Sequence, residues 1–351
     1  MDSQKPVLLT GIKPTGDLHI GNYFGAMKPL VDLARSGKYR VFAMIADYHA
    51  LNTMQDAEGM RASSRALASG LLAAGLDPAQ VVLFKQSEVS QHTELAWIFD
   101  TITDMPYLML SHAFKAAADR AFFDNNDVEK LLTDPLERDS KPDTFRSMVS
   151  RVFKGVGVGT FNYPMLMAAD ILLYDAAVVP VGQDQKQHIE YARDTAEKFN
   201  RTFKTEVFKL PEPYIMPEVA VVPGTDGQKM SKSYGNVIPL FGTAEDVQKK
   251  VMSIVTDSSG ERPENVYAIH KLIKPEAELA PLYEANKGSY KALKEALAAD
   301  LEAFLAPMRE RYRELQNDPQ AVDDALKQGA AAARQVAEAK MVAVRKAVGV
   351  A

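Results

Sequence analysis

His19 and Asn22 in the segment TGIKPTGDLHIGNYFGA (10–26), and Lys229 and Lys232 in DGQKMSKSYGN (226–236), are the residues whose types and spacing best suit phosphate chemistry. VLLTG (7–11) is a short apolar run ending in glycine, which predicts a buried strand, and Pro14, Gly16 and Gly21 punctuate the stretch after it. Beyond Gly21, the spacing of Tyr23, Ala26, Met27, Leu30, Val31, Leu33 and Ala34 predicts a helix with Asn22 near its start. His19 and Asn22 then stand where a strand delivers a helix N-terminus, a place where anions settle against free backbone N–H groups. In the second segment, two lysines in a loop with glycine and serine offer mobile cations to a polyphosphate. The plain alternative is a glycine turn and a solvated lysine loop.

Positioning these residues requires a framework. Strand-like runs YRVFAMIAD (39–47), VVLF (81–84) and AAVVPV (176–181) alternate with helical patterns at 58–74 and 184–199. That alternation predicts an α/β fold, a doubly wound parallel sheet with helices on both faces. From about residue 243 the pattern is almost wholly helical, as in 289–315 and the alanine-rich 321–348, which predicts a second, all-helical domain. We place the catalytic domain at 1–220, completed by a C-terminal helix at about 321–351. A loop and linker occupy 221–242, and the helical domain 243–320.

With 351 residues and 46% hydrophobic content, the chain can bury a large core. It contains no cysteine, so disulfides, thiolate zinc sites and iron–sulfur clusters are excluded, in keeping with a reducing compartment. The N-terminus lacks a signal-peptide core and no run is long enough to span a bilayer, so a cytoplasmic protein without membrane contact is expected. A net charge of −5 means that any nucleic-acid contact is a local basic face.

His19-Ile20-Gly21-Asn22 and Lys229-Met230-Ser231-Lys232-Ser233 together resemble the two signature motifs of the class I aminoacyl-tRNA synthetases. The stretch GTFNYPMLMAADILLYDAAVVPVGQDQKQHIEYARD (159–194) resembles the amino-acid-binding region of the bacterial tryptophanyl members, and the likeness extends more loosely over nearly the whole chain. Independently of the family, Tyr163, Met167 and Asp170 share one helix face. A carboxylate can accept from an indole N–H, a donor-only group, and also from a phenol; the related tyrosyl enzymes resemble this stretch with a glutamine at the Met167 position, and Met167 gives a phenol no such second partner, which would favour tryptophan. The plain alternative is a core Met167 and a capping Asp170.

The resemblance implies activation of tryptophan by ATP with Mg2+, and transfer of the tryptophanyl group to tRNA(Trp), in a homodimer with no structural metal. It assigns ATP to Lys13, His19, Gly21, Asn22, Gly182, Asp184, Lys229, Met230, Ser231 and Lys232, with Lys115, Lys229 and Lys232 on the triphosphate as the catalytic groups. It assigns tryptophan to Leu9, His49, Tyr163, Met167, Asp170, Ile171, Val179, Val181 and Gln185, with Asp170 receiving the indole N–H. His188 is read as structural. Because a carboxylate is already a competent nucleophile, no general base is required, and catalysis reduces to positioning and stabilisation of phosphate charge.

Two positions depart from the family pattern: Lys13 stands for a common glutamine, and Leu9 for a phenylalanine bordering the indole. Relative to the shortest bacterial members, roughly thirty extra residues, about 119–154, separate Lys115 from Tyr163, a charged, proline-containing stretch that is a candidate lid, with a decorative surface insertion as the alternative. Lys249, Lys250, Lys271, Lys287, Arg309 and Arg311 are candidate tRNA contacts, with a solvated helix face as the alternative for each. A non-enzymatic paralogue and a smaller nucleotidyltransferase are the rival readings; intact phosphate lysines argue against the first and the helical domain against the second.

Overall fold

The computed structural model describes residues 5–112, 114–116, 156–181, 186–215, 222–256 and 262–351. Gly182, Asp184, Gln185 and the insertion at 119–154 lie outside the described residues. The chain divides into two compact units: Met1–Ala50, Asp56–Glu88 and Met216–Ala333 form one, and Leu51–Gln55, Val89–Ile215 and Arg334–Ala351 the other.

The first unit is built on three parallel strands, β1 (Val7–Ile12), β2 (Arg40–Ile45) and β3 (Val81–Lys85). β2 lies between its neighbours, with Leu9 opposite Phe42 and Ala43 opposite Leu83. All five residues of β2 after Arg40 are buried, which is why its sequence reads as a continuous apolar run instead of an alternating one. Parallel neighbours need long crossovers, and helices supply them. Helix Ala57–Ala73, between β2 and β3, starts at Asp56, whose carboxylate accepts from the N–H groups of Glu58 and Gly59.

The crossover from β1 to β2 is not the single regular helix that the spacing predicts. A helical turn Ile20–Asn22 passes into a π-helical stretch Tyr23–Met27 and then into helix Lys28–Arg35. The physical reason is burial: the wider turn lets Tyr23, Phe24 and Met27 all face inward, and both rings pack against Phe304, Tyr23 edge-on and Phe24 stacked.

The helical part of this unit comprises Ala244–Met252, Glu264–His270, Glu276–Ala285 and Tyr290–Asn317, and then the first half of helix Pro319–Val348. Thr243 and Asp246 close a reciprocal capping box at its start. Tyr267, Leu279, Tyr283 and Leu293 form a small core of their own. Gly329 marks the tightest packing: a Cβ there would stand 1.8 Å from the Leu83 carbonyl oxygen, so helix and strand backbones meet with nothing between them.

The second unit holds helices Gln91–Asp100, Met105–Leu108, Val158–Leu172 and Lys186–Phe203 and a parallel pair, β4 (Val178–Val181) and β5 (Glu212–Ile215). β5 escapes sequence reading because it is four residues long and contains Pro213, a strand-breaking signal. Phe99, Phe199 and Phe208 meet edge-to-face at its centre. Arg345, in the second half of the last helix, donates to both carboxylate oxygens of Glu94 (2.7 and 2.8 Å) and also to Glu338, fixing helix Gln91–Asp100.

Candidate active site

In the first unit, backbone pairing brings the two phosphate-type segments together. Ile20 N–H donates to Ile238 O (3.0 Å), and Leu240 N–H to Leu18 O (2.9 Å), with His19 opposite Pro239 in an antiparallel bridge. The residues just after the lysine segment are thereby stitched to the turn that carries His19. Asn22 accepts the His19 N–H on Oδ1 at 3.1 Å, closing the helix start. Gly21 is required here: a Cβ would come within 2.8 Å of His19 Nδ1 and 3.3 Å of Met230 Cβ, wedging the segments apart.

His19 is buried, and its Nδ1 has no hydrogen-bond partner among the described residues. Burial, and then the charge of Lys232, push its pKa down to about 4, so the ring is neutral at neutral pH. It can offer a phosphate one N–H but not a cation. The positive charge must come from lysine. Lys232 reaches across to donate to the carbonyl of Thr15, 217 residues away in the chain, beside Gly16. Desolvation lowers its pKa, and that of Lys13, from the ordinary lysine range. Lys229 is exposed on the same loop, while Met230 is buried beneath it.

Asn236 shapes that loop. Its buried amide accepts the Ser231 N–H (2.8 Å) and donates to Asp226 Oδ1 (2.7 Å) and to the Lys229 carbonyl (3.2 Å). Gly224 N–H donates to Gln228 O and Met230 N–H to Val222 O, making the loop a tight hairpin. Sequence reasoning did not single out Asn236. Its signal was present, an asparagine directly after Gly235, which adopts the left-handed conformation that ends a short 3-10 turn.

In the second unit, Tyr163, Met167 and Asp170 do share a face of helix Val158–Leu172, the first two half-buried and Asp170 buried. Ile171 and Val179 are buried close by in sequence, and Val181 ends β4. His92, fully buried on helix Gln91–Asp100, sets Nδ1 2.6 Å from Asp170 Oδ1 and Nε2 2.9 Å from the Tyr174 hydroxyl. This residue too was missed, although His92, Leu95, Ala96 and Phe99 recur at helical spacing and so mark a buried face. Burial, and then the charge of Asp170, raise the Tyr174 pKa, keeping its hydroxyl protonated.

Leu9 and His49, both buried, belong to the first unit, and Lys115, exposed, to the second. Arg309 is no nucleic-acid contact: it is buried and donates with two nitrogens to the Glu302 carboxylate (2.7 and 2.8 Å). Arg311 spends its Nε–H on the Ala73 carbonyl at 2.8 Å. Lys249, Lys271 and Lys287 remain exposed, and Lys250 leans on the Gly235 carbonyl at 3.4 Å.

Residues 1–318 match the family model of the class I tRNA synthetases (W and Y). Among curated proteins, the chain is 40% identical to a tryptophan–tRNA ligase of Fusobacterium nucleatum, with 97% of each chain covered. It is 39% identical to one of Campylobacter jejuni, with 97% of this chain and 99% of the relative covered. Among solved structures it is similar to the C. jejuni tryptophanyl-tRNA synthetase complexed with ADP and tryptophan, with a TM-score of 0.81, 38% identity and coverage of 97% and 99%. It is also similar to the Mycoplasma pneumoniae tryptophanyl-tRNA synthetase, with a TM-score of 0.77, 26% identity and 99% coverage of both.

Proposed function

The chain belongs to the class I aminoacyl-tRNA synthetases of the tryptophan and tyrosine group, and from that premise we infer that it is a tryptophan–tRNA ligase. It activates L-tryptophan with ATP, releasing pyrophosphate, and then transfers the tryptophanyl group to the 3′-terminal adenosine of tRNA(Trp). The observation that carries the mechanism is the stitching of the His19 turn to the lysine loop, with Lys232 held on the Thr15 carbonyl.

ATP lies against the helix start at Gly21 and Asn22, with Gly182 and Asp184 at the nucleoside. Neutral His19 donates one hydrogen bond to a phosphate oxygen. Lys13, Lys115, Lys229 and Lys232 supply the positive charge, and Met230 and Ser231 carry the loop's backbone past the phosphates. A tryptophan carboxylate oxygen attacks the α-phosphorus, and the bond to the bridging oxygen breaks toward pyrophosphate. No proton needs to move, so the lysines work by stabilising the charge that accumulates on the departing group. Lys232 is released from Thr15 to track that charge. Mg2+ would accompany ATP and supply further neutralisation of phosphate charge beside Lys13, Lys115, Lys229 and Lys232.

By the resemblance, Asp170 is read as the acceptor of the indole N–H, and Met167, Ile171, Val179, Val181, Leu9, His49, Tyr163 and Gln185 are assigned to tryptophan with it. Exposed Lys249, Lys271 and Lys287 are the remaining candidates for tRNA. A homodimer follows from the family likeness; Trp97 (70%), Met105 (61%) and Leu110 (54%) are exposed apolar side chains of the second unit that such an interface would cover. No helix among the described residues is long and apolar enough to cross a membrane; a cytoplasmic address goes with the tRNA-charging reading itself. The test is charging of tRNA(Trp) by purified protein: tryptophan and ATP together should yield an ester at the terminal adenosine, and failure to charge with both present would refute the reading.

A further inference from the structure

His92 touches no group that the reaction consumes, yet it is fully buried and uses both ring nitrogens. A neutral imidazole has one donor and one acceptor, so the two contacts are not independent. An ionised carboxylate only accepts, so the ring proton is on Nδ1 and points at Asp170 Oδ1, 2.6 Å away, which leaves Nε2 of the neutral ring to accept from the Tyr174 hydroxyl at 2.9 Å. The chain of donors runs one way, from Tyr174 through His92 to the carboxylate. A carboxylate that receives a hydrogen bond at one oxygen is held in its acceptor form and fixed in rotation, so the acceptor it can present to a ligand has a set direction.

We propose that His92, oriented by Tyr174, is the positioning residue that sets tryptophan specificity by aiming Asp170 at the indole N–H. This rests on the reading of Asp170 as the indole acceptor. It adds that selectivity depends on a residue outside the ligand's reach. An aspartate side chain left to rotate would accept the N–H less well, and the loss would fall on substrates carrying that N–H and not on those without it.

The test compares ATP–pyrophosphate exchange with tryptophan and with 3-(1-benzothiophen-3-yl)alanine, in which sulfur replaces the indole N–H. The wild-type enzyme should favour tryptophan in kcat/KM by roughly 10²-fold or more. His92→Leu should reduce that preference about tenfold or more, through KM for tryptophan, with KM for ATP unchanged. His92→Asn, whose amide nitrogen can stand in for Nδ1, should restore most of it. A merely structural His92 would give the opposite pattern, both substrates falling together with the preference intact, and that result in a folded variant overturns the proposal. Should His92→Leu fail to fold, Tyr174→Phe decides: a reduced preference supports the proposal, and an unchanged one overturns it. Asp170→Ala separates the role of Asp170 from that of His92. If neither the wild type nor this variant distinguishes the analogue from tryptophan, the reading of Asp170 itself has failed. If Asp170→Ala abolishes the preference and His92→Leu does not, only the role of His92 has.

Discussion

Two side chains of the proposed phosphate site behave differently from what their residue types alone suggest. Histidine beside a polyphosphate invites the reading of a cation, but His19 is buried next to Lys232 and titrates near 4. Its folded pKa lies below the unfolded value of 6.5, so between about pH 6.5 and pH 4 the unfolded chain binds a proton that the folded one refuses. Stability should therefore be unaffected by this group above pH 7 and fall as pH drops through that window, by about 3 kcal/mol in all. Thermal melting of wild type and His19→Gln at pH 7.5 and pH 5 checks this: the wild type should lose more on acidification. Lys232 carries charge in its place. Lys232→Ala should slow adenylate formation in single-turnover experiments by on the order of 10²-fold while tryptophan binding barely moves; an unchanged rate would mean that the loop is only a solvated surface. Both segments could be found from residue types. Asn236 and His92 could not be given roles, because their roles are contacts: one amide gathers three loop groups, and one imidazole joins Asp170 and Tyr174, 78 and 82 residues further along the chain.

At the level of elements, what the sequence conveys best is burial. β2 and β3 appear as apolar runs because parallel strands covered on both faces have no reason to alternate, while β1 shows through the buried pair Leu8 and Leu9. The helix after Gly21 is legible as a helix, but its π-helical stretch is not, since the wider turn answers to Phe304, nearly three hundred residues on. β5 is too short and too rich in proline to register. Gly329 is a similar case: a glycine in an alanine-rich helix costs helix stability, and only its approach to Leu83 explains it. Gly329→Ala should accordingly destabilise the protein by about 1–3 kcal/mol, against the slight stabilisation expected at an exposed helical glycine, because a methyl group must be forced between two backbones. Urea denaturation followed by circular dichroism measures the sign directly.

For the molecule as a whole, the residues proposed for nucleotide chemistry and those proposed for substrate choice lie in different parts of the chain. The His19 turn and the lysine loop lie in the first unit. The face of Tyr163, Met167 and Asp170 lies in the second. Helical spacing made the shared face of Tyr163, Met167 and Asp170 legible in the sequence, and Gly182, Asp184 and Gln185 rest on family likeness alone. Arg309, a plausible basic contact in one dimension, is spent on Glu302. The central claim is that this chain activates tryptophan because Asp170 recognises its ring. The direct measurement is amino-acid-dependent ATP–pyrophosphate exchange with tryptophan and tyrosine side by side, in the wild type and in Asp170→Ala. The wild type should exchange with tryptophan in preference to tyrosine by roughly 10⁴-fold or more, as expected of a site that hydrogen-bonds its substrate, and Asp170→Ala should lose most of that preference. Equal exchange with both amino acids in the wild type, or a preference untouched by the substitution, would contradict the account.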